Sequence, residues 1–152
     1  MSRLVDNDIL IPEIGRLLKE GREVRFTPSG ESMRPFIEGN KDSVLLRAAD
    51  VIRVGDIVLA DLGDRFVLHR VIEIDADGSA LTLMGDGNLR GVEYCGVNDV
   101  LGVVIGIYWP SGRRKLLSRA WLWRHTLSMR WLGLKIYRHL IRWGLIYSDD
   151  SR

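Results

Sequence analysis

The 152-residue chain is poor in the residue types that build disulfide frameworks and structural zinc sites. It contains one cysteine, Cys95, which excludes an internal disulfide and a cysteine cluster for zinc. The three histidines, His69, His125 and His139, are too few to form a strong zinc site unaided. We therefore expect neither a metal nor a cofactor.

Long apolar runs are also missing. A helix that crosses a bilayer needs about 20 predominantly apolar residues, whereas the longest apolar run here covers only residues 101–109. Asp6, Asn7 and Asp8 interrupt the N-terminal segment before a signal-peptide-like run develops. These absences predict a cytoplasmic protein, with peripheral contact to the inner face of the cell membrane as an open alternative.

Acidic residues are absent from residues 113–147, which carry nine lysines and arginines. The first 112 residues hold 12 basic and 18 acidic residues, so an acidic body precedes a basic tail. Such a tail indicates an anionic partner, either a membrane surface or nucleic acid. Four of the five tryptophans also lie in it, a composition typical of an interfacial helix on anionic lipid. We expect membrane contact through residues 113–147 and no nucleic acid, and docking of the tail onto the body or a partner is the alternative.

The body reads as one short helix followed by strands. Residues 8–20 place Leu10, Ile14 and Leu17 at helical spacing, and Gly21 is a plausible stop. Segments rich in Val, Ile and Leu predict strands over residues 43–47, 56–60, 65–74, 80–84 and 100–109, after a short extended segment at 24–26. No helical segment alternates with these strands. The body is therefore predicted to be a mainly antiparallel β domain.

The tail has a helical pattern of apolar residues. They step by three or four positions and share one stripe: Leu116, Ala120, Trp123, Leu127, Trp131, Leu134, Tyr137, Ile141 and Leu145. Trp121, Leu122, Ile136 and Trp143 fall off this stripe. We accordingly predict two parts, a domain over residues 1–112 and a basic amphipathic helical tail over residues 113–152.

Three segments offer a set of side chains suited to acyl transfer. Ser32 lies on a loop between Gly30 and Pro35, His69 in an apolar strand, and Asp86 on a Gly-Asp-Gly-Asn turn. A serine hydroxyl needs an adjacent base, and histidine, with an unperturbed pKa near 6.5, suits that role. A carboxylate can orient the imidazole. Gly30 would allow close approach of the substrate carbonyl, and the Ser32 N–H could hold the oxyanion.

The order of short motifs resembles the type I signal peptidases. These motifs are Ser-Met-Arg-Pro at 32–35, Gly-Asp-Ile-Val at 55–58, His-Arg-Val at 69–71, Gly-Asp-Gly-Asn at 85–88 and Gly-Val-Val-Ile-Gly at 102–106. The resemblance covers roughly residues 28–109 and is to the endoplasmic-reticulum and archaeal branch, in which histidine replaces the general-base lysine. The self-cleaving SOS repressors belong to the same superfamily.

The resemblance implies a serine endopeptidase on a coiled antiparallel β scaffold. In it Ser32 is the nucleophile, His69 the general base and Asp86 the supporting carboxylate, and Met33 lies beside a pocket for small side chains. The implied substrate is a peptide or preprotein that is cleaved after a small residue, as in signal- or leader-peptide processing.

Several alternatives stay open at the level of sequence. Glu93 could support His69 instead of Asp86, and Lys41 is a conceivable base after the bacterial pattern. A self-cleaving regulator is less expected, because only 31 residues precede Ser32 and they contain no helix-turn-helix pair. In a non-catalytic binding module the basic tail would carry the function, and Ser32 and His69 would be replaceable.

Overall fold

The computed structural model describes residues 7–115 and 127–143, and this part of the chain is mainly β. Two α-helices and a short 3-10 helix accompany eight strands. In chain order the elements are α1 (Asn7–Lys19), β1 (Val24–Phe26), β2 (Ser43–Arg47), β3 (Ile57–Asp61), β4 (Phe66–Ile74), β5 (Ala80–Met84), β6 (Glu93–Gly96), the 3-10 helix (Val97–Asp99), β7 (Val100–Tyr108), β8 (Arg114–Lys115) and α2 (Leu127–Arg142).

The strands of the described residues form one antiparallel sheet in the order β1-β2-β7-β3-β4-β5-β6, and β8 also pairs with β7. The pairing of β3 with β4 sets Val58 opposite His69. The pairing of β4 with β5 runs from Arg70, opposite Met84, to Ile74, opposite Leu81. In this register β5 ends before it reaches the position opposite His69.

Apolar residues pack on both faces of the sheet, because successive residues of β3 and β4 point to opposite faces and contribute to different clusters. On one face α1 packs through Ile14 and Leu18 into a cluster with Leu46 and Leu59. The other cluster is formed by Val58, Ala60, Val67, Val71, Leu81 and Leu83. Strands β3 and β4 contribute to both clusters, so the strand that carries His69 lies at the centre of the core.

The prediction of a mainly antiparallel β body after a short N-terminal helix is confirmed. Two strands were not predicted. Strand β6 contains Glu93 and Gly96, which have low β propensity, and its edge position leaves it little apolar patterning. Strand β8 consists of two basic residues that pair with Ile107 and Tyr108 across the turn at Pro110–Gly112.

Arg114 and Lys115, which the predicted boundary at 112/113 assigns to the tail, pair with β7, because the turn returns the chain onto that strand. The chain divides into two compact units, Met1–Ser118 and Arg119–Arg152. The apolar stripe that predicted the tail helix is only partly described: Leu134 is buried, and Tyr137 and Ile141 are half-buried. Leu116, Ala120, Trp121, Leu122, Trp123 and Leu145, and the side chains of Leu127 and Trp131, lie outside the described residues.

Within residues 7–115 and 127–143, no helix is long and apolar enough to cross a membrane. Helix α2 begins at Leu127 and ends at Arg142, and Gly133 does not interrupt it. The helical prediction for this part of the tail therefore agrees with the structure.

Candidate active site

Ser32 lies in the irregular segment that joins β1 to β2, which we call the nucleophile loop (residues 27–42). Consecutive turns shape it: the Arg34 N–H donates to the Glu31 carbonyl at 3.1 Å and the Ile37 N–H to the Met33 carbonyl at 3.0 Å. Met33 and Ile37 are buried in the core that α1 covers. These two side chains anchor the loop, so the intervening residues keep a fixed position over the sheet.

The turn at residues 85–88 fits against the backbone of the nucleophile loop. The Gly87 N–H donates to the Ser32 carbonyl at 2.8 Å. A Cβ atom at Gly85 would lie 2.5 Å from that carbonyl oxygen, which is closer than any side chain can approach. Glycine at position 85 is therefore required by the close approach of the two backbones. The Gly-Asp-Gly-Asn motif thereby helps to set the position of Ser32.

Ser32 and His69 are brought together by the fold, although 37 residues separate them in sequence. The Ser32 Oγ and the His69 Nε2 are 3.0 Å apart. His69 is only 5% exposed, whereas Ser32 is half-buried. A hydroxyl that donates to an imidazole nitrogen at this distance is in position to lose its proton to it.

Glu93 supplies the carboxylate that contacts the imidazole. Its Oε2 lies 2.8 Å from the His69 Nδ1, and its side chain is 17% exposed. This contact assigns the Nδ1–H as the donor, which leaves the Nε2 lone pair free to accept from Ser32. Glu93 reaches His69 from β6 because β5 has no residue opposite His69. The sequence left open whether Asp86 or Glu93 contacts His69, and in the structure Glu93 makes this contact.

The predicted contact between Asp86 and His69 is wrong. Both oxygens of Asp86 instead accept from Arg70, with Nε–Oδ1 at 2.7 Å and Nη2–Oδ2 at 2.6 Å. The reason is the alternation of side chains along β4: His69 and Arg70 are neighbours and point to opposite faces. A carboxylate that pairs with Arg70 is therefore directed away from the imidazole.

Arg70 is a site residue that the sequence reasoning did not single out. Beyond Asp86, its Nη1 donates to the Gly55 carbonyl at 2.7 Å, and its guanidinium lies 5.7 Å from the centre of the Phe36 ring. It thereby links β4, the turn at 85–88 and the nucleophile loop. An arginine beside a histidine in an apolar strand needs a buried anion, and that requirement is the signal that could have paired it with Asp86.

The predicted substrate-binding residues line a small cavity beside Ser32 and His69. Its volume is about 120 Å³, and Gly30, Met33, Ile37, Phe66 and Leu68 are among the residues that line it. Gly30 has a φ of +89°, a conformation that suits glycine. Met33 is buried, and its sulfur lies 3.5 Å from the Asp86 nitrogen. Within the described part of the chain, no hydrogen bond from the Ser32 N–H is seen.

A buried ion pair fixes the far end of the nucleophile loop. The ammonium of Lys115 on β8 donates to Asp42, which is 1% exposed, and to the Phe36 carbonyl at 3.3 Å. Asp42 also accepts from the Glu38 N–H at 2.7 Å. The other loop lysine, Lys41, pairs with Glu38 at 3.2 Å. Of these two side chains, His69 is the one in hydrogen-bond contact with Ser32.

No protein-family model and no curated protein matches the chain significantly. Among the described residues, no group of three or more His, Cys, Asp or Glu side chains could hold a metal ion. The contacts of Ser32, His69 and Glu93 with one another define the candidate site.

Replacing Glu93 with glutamine is expected to lower the rate of peptide cleavage at neutral pH. The carboxylate orients the imidazole through the Nδ1 contact and stabilises the imidazolium that forms when His69 takes the serine proton. Asp86→Asn, which leaves the Glu93 contact intact, should lower kcat/KM less. Equal losses of kcat/KM in the two variants would contradict the role of Glu93.

Proposed function

We propose that the protein is a serine endopeptidase in which Ser32 is the nucleophile, His69 the general base and Glu93 the residue that orients His69. The observation that carries the proposal is the continuous hydrogen-bond chain from Ser32 Oγ to His69 Nε2 and from His69 Nδ1 to Glu93 Oε2, at 3.0 and 2.8 Å. Nucleophile, base and orienting group in contact in this order are the arrangement that acyl transfer needs.

The reaction follows from these contacts. Ser32 Oγ attacks the scissile carbonyl carbon while His69 Nε2 takes the hydroxyl proton, and Glu93 stabilises the imidazolium. The Ser32 N–H donates to the oxyanion of the tetrahedral intermediate. The C–N bond then breaks, the amine leaves with the proton from His69, and an ester remains on Ser32. His69 next deprotonates a water that hydrolyses the ester and regenerates the hydroxyl.

The pairing of the described strands supports an extended peptide substrate. Within residues 7–115 and 127–143, strand β5 pairs with β4 only from Arg70 onward, so no described strand pairs with residues 66–69 on the β5 side, beside the cavity. An extended peptide can add to such an edge as a further strand. The cavity at Ser32, with about 120 Å³, has room for a side chain of small to medium size but not for a large aromatic one.

In this proposal the protein is a signal-peptidase-like enzyme that processes a leader or signal-type peptide. The order of the motifs around Ser32, His69 and Asp86 supports the likeness, and the antiparallel β scaffold is compatible with it. Asp86 would serve this enzyme as the partner of Arg70 in holding the turn against the nucleophile loop, rather than as a member of the proton-transfer chain.

A library of unstructured peptides tests the proposed activity. We expect new termini after alanine, glycine or serine, identified by mass spectrometry, and none from Ser32→Ala. In matched peptides that differ only before the scissile bond, replacing alanine with tryptophan should reduce kcat/KM strongly, because the indole exceeds the cavity. Cleavage with no preference for small residues would contradict the proposal that the cavity binds the side chain before the scissile bond. Absence of cleavage by the wild type would contradict the proposed peptidase activity.

A further inference from the structure

Helix α2 carries a second apolar face that differs from the buried one. Leu134 is 1% exposed, whereas Leu132, Ile136 and Trp143 are 47, 52 and 68% exposed. At 3.6 residues per turn these three exposed residues lie within about 40° of one another, and Leu134 is about 180° from Trp143. The Trp143 N–H donates to the His139 carbonyl at 3.0 Å, so Trp143 continues the helical hydrogen bonding. We call Leu132, Ile136 and Trp143 the exposed apolar face.

Cations border this face along one side. Lys135, Arg138 and Arg142 are exposed and lie on the same flank, and His139 lies within the face with its ring 5.5 Å from that of Trp143. Residues 113–147 contain no acid, while acidic residues outnumber basic ones in the first 112 residues. Helix α2 therefore carries a net positive charge.

We propose that the exposed apolar face of α2 binds the surface of a bilayer that contains anionic phospholipid, with the helix lying in the plane of the interface. Leu132, Ile136 and Trp143 would enter the boundary between headgroups and acyl chains, and Lys135, Arg138 and Arg142 would face lipid phosphates. The exposed apolar residues match the acyl-chain boundary of such a bilayer, and the neighbouring cations match the negative charge of its headgroups. The inference is independent of the proposed peptidase activity.

A nucleic acid fits the same observations less well. Phosphates would engage the three cations, but a duplex backbone offers no apolar surface to Leu132 and Ile136. The two partners also differ in salt dependence: phosphate contacts are lost steeply with salt, whereas the apolar contribution to bilayer binding is not screened. Binding that weakens with salt and then levels off above zero is expected only for the lipid surface.

Co-sedimentation of the full-length protein with vesicles tests the proposal. We expect binding to vesicles of phosphatidylcholine with phosphatidylglycerol and much weaker binding to phosphatidylcholine alone. The variant Lys135→Gln/Arg138→Gln/Arg142→Gln should lose up to about fivefold in partition for each removed charge. The matched control, Arg22→Gln/Arg53→Gln/Arg90→Gln, removes the same net charge from exposed positions of the other unit and should bind as the wild type.

The variant Leu132→Ser/Ile136→Ser tests the apolar contribution. Both side chains are exposed, so folding should be unaffected, and circular dichroism checks this. We expect this variant to lose the binding that persists at high salt. Failure of the wild type to bind anionic vesicles, equal losses in the two charge variants, or complete displacement by duplex DNA would overturn the proposal. None of these variants changes a residue of the candidate active site, so all of them should keep the peptidase activity of the wild type.

Discussion

Ser32→Ala is expected to abolish peptide cleavage, with a loss in kcat of roughly 1,000-fold or more and no loss of the fold. The hydroxyl is the only atom removed, and its partner in the structure is the His69 imidazole at 3.0 Å. His69→Ala should have an effect of similar size, because the nucleophile without its base is a neutral alcohol. The measurement is kcat and KM for a peptide selected from the library, with circular dichroism as the check on folding.

A double variant tests whether the two side chains act in the same step. Ser32 and His69 act as one unit, so the double variant Ser32→Ala/His69→Ala should be scarcely slower than either single variant. Ser111→Ala, in the exposed turn after β7, is the matched serine control and should keep full activity. Retained activity in Ser32→Ala, or multiplicative losses in the double variant, would contradict a shared mechanism.

Asp86→Ala is expected to destabilise the protein by about 3–5 kcal/mol, because it leaves the Arg70 charge buried without its carboxylate. The side chain of Asp86 is 1% exposed and that of Arg70 is 13% exposed, so water can replace the lost partner only poorly. Urea unfolding followed by circular dichroism measures the change in the free energy of unfolding.

An exposed ion pair provides the matched control. Asp64 and Arg65 pair at 3.3 Å with side chains that are 73 and 55% exposed. Pairs of this kind contribute about 0–1 kcal/mol, so Asp64→Ala should change stability little. The double variant Asp86→Leu/Arg70→Met, which removes both charges, should be more stable than Asp86→Ala alone. Equal costs for Asp86→Ala and Asp64→Ala would contradict the buried bridge.

The pairing of Ser32 with His69 was expected from the resemblance that the order of the motifs carries. Spacing alone could not predict the contact, because 37 residues separate the two side chains and only the fold brings them together. The identity of the supporting carboxylate could not be anticipated. Asp86 and Glu93 are both downstream of β5, and only the pairing register decides which of them reaches the imidazole.

The contacts that the sequence did not predict are long-range. Lys115 and Asp42 are 73 residues apart, and nothing in either segment indicates that they form a buried pair. Strand β8 is too short and too polar to carry a strand signal, so Lys115 was assigned to the tail. Helix α2 was predicted from one apolar stripe, but residues off that stripe, Ile136 and Trp143, form the exposed apolar face.

Covalent labelling tests the central claim most directly. A biotinylated peptide with an alanine-derived diphenyl phosphonate at its C-terminus would form a phosphorus–oxygen bond to the nucleophile and release phenol, and peptide mapping would locate the adduct. We predict one adduct, on Ser32, whose rate of formation falls sharply in His69→Ala and to a lesser degree in Glu93→Gln. An adduct on another side chain, no adduct at Ser32, or an unchanged rate in His69→Ala would contradict the account.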